Sequence, residues 1–432
     1  MGRRSEAGRK KQARPRAVRP DPLGQMLLPM VDGIVRTKES LFQLVQECGL
    51  RALGMVLAED AEKVAGPKHK RQKGRRFHHW GTTTSELPFA GRRVQIERPR
   101  VRSKDGLEIA LPALEELRSR DPLSDHVVEQ ILLGVSTRGY EKSLPEAPQT
   151  SRTRGASKSS ASRRLVQKTR ETALQFLERR LDEIDLAGLM IDGLEVGDHV
   201  AIVALGITTD GHKHVLGVWQ GSTENSDVCT ALLQNLLERG LRIDKRILIV
   251  IDGGKALRKS IRDVFGDAAL VQRCQVHKMR NLRSHLPQKR HAYVIETMRD
   301  AYKSKAVSTA RNKLKALVSW LERNGEVDAA NSLREGLEET LTVLKLNLPP
   351  TLCRFFSTTN AIENLNGTFR RHTNRRVKNW KGGEMVQRWI GMVMADAETK
   401  FRRIRGHQGM TRLVEALRQP FREQMDELKE SA

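Results

Sequence analysis

The feature that most constrains the fold of this 432-residue chain is a change of hydrophobic period near its middle. Residues 157–185 (SKSSASRRLVQKTRETALQFLERRLDEID) begin with small hydroxyl residues suited to helix capping and continue with apolar side chains at helical spacing. From Asp192 the pattern becomes short β-branched runs, HVAIVALGI (199–207) and KHVLGVWQG (213–221), joined by the turn sequence TTDGH (208–212). That is a hairpin signal. An amphipathic stretch (226–240) leads to RILIVI (246–251), apolar after its first residue, then to a helix from Lys255 and a short strand, ALVQRC (269–274). Strands broken by helices, with an antiparallel start and a buried apolar strand later, predict a mixed α/β sheet.

Either side of this block the chain reads as helical. Residues 38–65 have helical apolar spacing, 66–88 read as a basic, glycine-containing loop, 92–101 as a strand element, and 124–135 as a helix ending near Gly134. A polar Ser/Pro-rich connection (136–155) separates that helix from the one at 157–185, a spacing that allows a loose helix-turn-helix. Residues 285–347 have almost no strand character. Ala310, Leu314, Leu317 and Leu321 repeat at helical spacing, as do Leu333, Leu337, Leu341 and Leu344, and after LNLPP (346–350) the helical pattern resumes with Glu363 near its start.

Lys and Arg exceed Asp and Glu by 77 − 52 = 25, which implies a large polyanionic partner, nucleic acid or an anionic surface. Residues 1–20 carry eight basic side chains and one acid, and 67–76 form a second basic run; a solvated, disordered tail is the bland alternative. No stretch approaches the ~20 apolar residues of a membrane span, and no apolar signal region opens the chain, so a soluble cytoplasmic protein is expected. Cys48, Cys229, Cys274 and Cys353 are scattered without paired spacing, which argues for a reducing compartment rather than a disulfide framework.

Three carboxylates stand out. Asp192 (LMIDGL) and Asp252 (LIVIDGGKAL) each follow an apolar run, and Glu363 (STTNAIENLNGTFRR) lies near a helix start. Placed at the edges of apolar elements, three hard oxygen donors could converge on a pair of divalent ions. Each has a bland alternative, since Asp-Gly is an ordinary turn and Asn360 followed by Glu363 fits a capping box. The apolar strand before Asp252 favours a site, because central strand ends in α/β sheets are where sites are built. Arg370, seven residues after Glu363 and on the same helical face, could hold a phosphate beside the ions.

Cys274 and His277 form a Cys-x-x-His pair in RCQVHKMRNL (273–282). Zinc needs about four ligands and no second pair appears at ligand spacing, so a local structural or substrate-contacting role is expected. The neighbouring Arg273, Lys278, Arg280 and Arg283 could meet phosphates or form a solvated face. Earlier, Arg163, Arg164 and Lys168 suit phosphates and guanine edges, the alternative being a charged linker helix. GGK at 253–255 lacks the flanks of a phosphate loop, and no nucleophile elbow occurs, so ATP use and acyl transfer are poorly supported.

The segments VLGVWQGSTEN (215–225), LLERGL (236–241), VIDGGKALRKSI (250–261), QRCQVHKMRNL (272–282) and TTNAIENLNGTFRRHT (358–373) together resemble the ordered motif set of the Mutator-like bacterial insertion-sequence transposases. The resemblance is close over roughly 190–375 and looser before it. Where many relatives carry a tryptophan, this chain has Val228 and Cys229.

The resemblance implies a ribonuclease H-like α/β catalytic domain in two parts (186–284 and 351–405), interrupted by an all-helical insertion (285–350). Before it would come a basic tail (1–37) and a mainly helical DNA-binding region (38–185), and after it a C-terminal helical tail (406–432). It further implies a catalytic and metal-binding triad of Asp192, Asp252 and Glu363 using Mg²⁺ or Mn²⁺, with Cys274 and His277 as the family signature. Arg163, Arg164, Lys168, Lys278, Arg280 and Arg370 would contact double-stranded DNA. The implied activity is cleavage at the terminal repeats of a mobile element and joining of the ends to a new site, by a nucleoid-associated homodimer or higher oligomer. A nuclease or resolvase on the same fold, or a DNA-binding protein with an inactive catalytic domain, are the alternatives.

Overall fold

The computed structural model describes residues 41–68, 74–119, 122–144, 152–154, 156–221, 225–374 and 376–418. The expected N-terminal tail, part of the second basic run and the end of the C-terminal tail lie outside them. The chain divides into two compact units, Met1–Leu165 and Val166–Ala432.

The first unit opens with helix α1 (Leu41–Ala65), followed by strands β1 (Phe77–Phe89), β2 (Arg92–Ser103) and β3 (Glu108–Ile109). Helices α2 (Pro112–Ser119), α3 (Pro122–Leu132) and α4 (Tyr140–Ser143) and strand β4 (Thr153–Arg154) complete it. Leu57 and Ala61 of α1 pack with Leu87, Val94, Ile96 and Val101 of the hairpin and with Leu111 and Leu114. The Asp60 carboxylate accepts the Ala113 N–H at 2.9 Å and so satisfies one of the unpaired amides that open α2.

Two expectations are corrected here. The loop expected over 66–88 contains β1, whose register slips between His79 and Thr82; that irregularity interrupts the alternation by which a strand is recognised. The connection over 136–155, expected as a polar passage without regular structure, likewise contributes a short strand, β4, which pairs with β2.

Helix α5 (Lys158–Glu178) crosses the boundary between the units and starts where the Ser157 hydroxyl receives the Ser160 N–H at 3.4 Å. The second unit is built on β5 (Leu186–Val196), β6 (His199–Thr208) and β7 (Lys213–Gly221), then helix α6 (Ser226–Glu238), β8 (Ile247–Ile251), α7 (Lys255–Phe265) and β9 (Ala269–Arg273). The five strands lie in the order β7-β6-β5-β8-β9. The first three are antiparallel neighbours, and β5-β8 and β8-β9 are parallel. This is the expected mixed sheet.

Alternation along the strands divides its two faces. Leu189, Ile191, Ile247, Ile249 and Ile251 pack with Leu232, Leu233 and Leu236 of α6 and Leu257 and Ile261 of α7. Gly188, Met190 and Asp192 point to the other face. There Gly188 makes room for an aromatic ring, since a Cβ on it would lie 2.6 Å from the Phe356 side chain.

After β9 come α8 (Gln275–Ser284), α9 (Gln288–Tyr302), α10 (Val307–Arg323), α11 (Val327–Arg334) and the short α12 (Thr342–Lys345). Between residues 285 and 347 the described elements are helical, and Ala310, Leu314, Leu317, Leu321, Leu333, Leu337 and Leu341 share one buried cluster with Leu282, Val294 and Met298. The buried Gln272 of β9 ties this layer to the sheet, donating to Thr340 O at 3.0 Å and accepting from Val343 N at 2.8 Å. The outer edge of the sheet is thereby covered.

Helices α13 (Pro350–Phe356), α14 (Asn360–Thr373), α15 (Gly383–Thr399) and α16 (Met410–Arg418) complete the unit. Helix α15 is fixed to β7 by one ionic cluster. Arg179, just past α5, grips Glu398 with two bonds of 2.7 and 2.8 Å and also donates to Val215 O, while Val215 N–H donates to Glu398 at 2.7 Å. Burial alone would raise the Glu398 pKa, but His214, Arg179 and the Val215 amide outweigh it and hold it at about 2.

Because that pKa lies below the unfolded value, the stabilisation is present above the ordinary carboxylate range and is lost as pH falls toward about 2. Glu398→Gln is expected to destabilise the second unit by about 3 kcal/mol at neutral pH, because Arg179 then loses its counter-charge. The gap between variant and wild type should close as pH falls from about 4 toward 2, as measured by urea unfolding at several pH values.

Candidate active site

Asp192 and Asp252 are brought together by strand register. Parallel β5 and β8 pair Gly188 with Leu248 and Met190 with Val250, and two residues further along both strands stand Asp192 and Asp252. Both acids therefore extend the face on which Met190 and Val250 lie, opposite α6 and α7. Asp192 is inside β5 rather than at its end, still paired with Val203 of β6; it lies just beyond the last residue paired with β8. Asp252 follows β8 directly, and its Oδ1 accepts the Gly254 N–H at 2.9 Å immediately before α7 begins. A helix N-terminus favours a carboxylate there. The glycine after it is required: Gly253 has φ +112°, and a Cβ would sit 2.0 Å from Arg273 Nε.

The third acid comes from α14, which packs against β5. Glu363 lies in its first turn, and its Oε1 accepts the Thr359 hydroxyl at 2.7 Å. The capping box suggested by Asn360 does not form, since Thr359 is the N-cap and Asn360 is already helical. One turn after Glu363, buried Asn366 donates its amide to Asp192 Oδ2 at 2.9 Å, locking α14 onto the strand that carries the first acid. Asn366 was not singled out from sequence. Its only sequence signal is its position three residues after Glu363, on an adjacent part of the same face.

Cys274 caps α8 and His277 lies in its first turn. The thiol of Cys274, the ring of His277 and the carboxylate of Glu363 all lie within 4.8 Å of one another, and His277 Nδ1 is 3.9 Å from Glu363 Oε1. Arg280, one turn along and exposed, reaches within 4.0 Å of Glu363 Oε2.

The electrostatics follow from this crowding. Burial, then the charges of Asp252 and Glu363, push the Asp192 pKa up to about 6, against the opposing influence of His277 and the Asn366 amide. His277 is raised chiefly by its hydrogen bond with Cys274, and also by the nearby Glu363 and Asp252 charges, although burial opposes this. Burial would raise the Cys274 thiol, but hydrogen bonds involving His277 and Thr359 lower it overall.

The basic residues divide. Arg370, two helical turns beyond Glu363, is exposed, as are Arg163 on α5 and Arg283 on α8; Arg164 and Lys168 are half-buried on α5. The expected DNA contact by Lys278 is corrected. Its side chain is fully buried, and its ammonium donates to the carbonyls of Ser332 and Glu335 at the end of α11. Four methylenes carry the charge through the apolar interface to carbonyls that a helix end leaves unpaired. Arg273 is likewise buried, donating to Glu335 O at 3.1 Å.

The comparisons bear on what such an arrangement does. Over residues 37–404 the chain matches the family described as transposase, Mutator family. It is 28% identical over 338 residues to the transposase for insertion sequence element IS905 of Lactococcus lactis, covering 76% of this chain and 81% of that protein. The transposase for IS256 in transposon Tn4001 of Staphylococcus aureus is 26% identical over 344 residues, covering 78% and 85% of the two chains. The transposase for ISRM5 of Rhizobium meliloti is 28% identical over 360 residues, covering 81% and 83%. With a match spanning most of its length and a carboxylate cluster in the matched region, this chain belongs to the Mutator family of transposases.

Proposed function

We propose that the protein binds the terminal inverted repeats of its own mobile element, cuts DNA there and joins the freed ends to a new site. In this reading the second unit is a ribonuclease H-like catalytic domain with Asp192, Asp252 and Glu363 as its triad. The observation that carries it is the convergence of these acids: strand register sets two side by side, and a helix packed on the same strand brings the third. The strand order, with three antiparallel strands followed by two parallel ones, supports that fold.

The residues fit a hard divalent cation. Three carboxylates close enough to raise Asp192 form a net negative pocket, and Asn366 Oδ1 is a further buried oxygen with no hydrogen-bond partner in the structure. Asp192, Asp252 and Glu363 would hold Mg²⁺, or Mn²⁺ in its place, which when bound supplies activation of the attacking oxygen and charge stabilisation of the leaving one. Asn366 keeps Asp192 in one orientation. Exposed Arg280 and Arg370 offer guanidinium groups to phosphates beside Glu363, and Arg163, Arg164 and Lys168 serve binding of the element ends.

Water attacks phosphorus, the P–O3′ bond breaks, and a free 3′-hydroxyl and a 5′-phosphate result. That hydroxyl then attacks a target phosphodiester, so one ester bond forms as another breaks and neither oxidant nor nucleotide is consumed. No covalent protein–DNA intermediate is required. Pairing two element ends calls for at least a dimer on DNA.

Asp252→Asn and Glu363→Gln should each lower cleavage and joining of a duplex carrying the element ends by roughly 10²–10³-fold or more, with affinity for that duplex unchanged. Near-normal joining by either variant in Mg²⁺ would remove that residue from the triad.

A second expectation concerns stability. The Asp192 pKa is raised in the fold, so its favourable contribution is complete below about pH 4 and is lost as pH rises through about 6. In chelator at about pH 7.5, Asp192→Asn should therefore be more stable than wild type by roughly 1–3 kcal/mol, and near pH 4 the two should coincide. Mg²⁺ should raise the unfolding midpoint of wild type and leave that of the variant nearly unchanged.

A further inference from the structure

The Cys-x-x-His pair lies beside the triad, yet neither side chain is needed in the reaction described above. We propose that Thr359 is a positioning residue for Glu363, and that Cys274 and His277 hold Thr359 in place; the inference rests on Glu363 belonging to the triad.

Thr359 is fully buried one residue before α14. Its hydroxyl oxygen has three polar neighbours: Glu363 Oε1 at 2.7 Å, His277 Nδ1 at 3.2 Å and Cys274 Sγ at 3.4 Å. A hydroxyl has one proton to give, and the nearest acceptor, the carboxylate, takes it. His277 Nδ1–H then donates to the threonine oxygen, and Cys274 Sγ receives the Thr359 backbone N–H at 3.4 Å. The result is a directed chain from His277 through Thr359 to Glu363, anchored from below by sulfur. A further backbone bond, Gln275 N–H to Ser357 O at 3.0 Å, clamps the start of α8 to the segment just before Thr359.

The consequence for Glu363 is orientational. Oε1 is committed to the threonine, and Oε2 is left facing Arg280 at 4.0 Å, outside hydrogen-bond range, where it can serve as a ligand. A glutamate has three rotatable bonds, and without such a tether its carboxylate would have to be ordered each time a cation bound. Groups that orient ligands in this way are worth about 10–100-fold in metal affinity or activity.

The test uses full-length protein without DNA and reads Mn²⁺ binding by titration calorimetry, alongside thermal unfolding and strand joining. Thr359→Val keeps the shape and removes the hydroxyl; Mn²⁺ affinity and joining are expected to fall about 10–100-fold. Thr359→Ser should recover most of both. Thermal midpoints should differ little among the three proteins, and if Thr359→Val does not fold, Thr359→Ala provides the same reading. Wild-type Mn²⁺ affinity in Thr359→Val would overturn the inference, as would a Thr359→Ser variant as defective as Thr359→Val. So would one tightly held zinc per chain that is lost on Cys274→Ser. Glu363→Gln separates the two levels: if it binds Mn²⁺ as wild type does, the triad reading itself has failed, whereas if it alone loses Mn²⁺, only the role of Thr359 falls.

Discussion

The register of β5 against β8 is the constraint on which the second unit depends. A slip of one residue would move Asp192 to the face of Leu189 and Ile191, against α6 and α7, where no cation or phosphate could reach it. Apolar packing on both faces prevents the slip. On one side Ile247, Ile249 and Ile251 are inserted among the leucines of α6, and on the other Gly188 leaves the space that the Phe356 ring fills. The acids inherit their position from this packing, and the penalty for burying Asp192 is set against a large, continuous hydrophobic contact. Local stability is given up at Asp192, where the proposed chemistry calls for charge.

The helix that brings the third acid also restrains the first. Within α14 and its cap, Thr359, Glu363 and Asn366 are spaced by about one turn each, so one face of one helix contributes a carboxylate, the hydroxyl that orients it and the amide that holds Asp192. Two carboxylates on different elements are thus kept at a fixed separation by a rigid body rather than by loops. Precision of this kind is hard to obtain from flexible segments, because a shift of about 1 Å in a reacting group is enough to cost large factors in rate.

How much of this was legible in the sequence varied with the kind of signal. Asp252 was the plainest, since an uninterrupted apolar strand ending in Asp-Gly-Gly marks a central strand end, and β8 and α7 fall where the pattern put them. Asp192 was visible as an acid after an apolar run, but its location within a continuing strand was not, because β5 outlasts its parallel partner and keeps pairing with β6. Glu363 had a competing explanation as a capping residue, and the helix start at Thr359 removes it. Thr359 and Asn366 had no signature of their own: a threonine and an asparagine in a polar segment look like surface residues until their partners, distant in sequence, are known. In the first unit, β1 was hidden by its irregularity at Trp80 and Gly81, where an exposed tryptophan and a positive-φ glycine break the alternation.

Lys278 and Arg273 show why charge alone misleads. In sequence they belong to one basic run with Arg280 and Arg283, yet two of the four face inward and two outward. Arg273 closes β9, and among the three residues on α8 the division follows from helix geometry, because neighbouring residues point about 100° apart. His277 therefore faces the carboxylates while Lys278, the next residue, reaches the end of α11 and satisfies carbonyls there. Burial and the charge of Arg273 lower the Lys278 pKa to about 8, against the opposing charges of Glu335 and Glu339. One helix thus bonds to the helical layer through one side chain and adjoins Glu363 through the adjacent one. Lys278 thus ties the helical layer to the helix that adjoins Glu363, although none of that layer's own side chains is among the three acids.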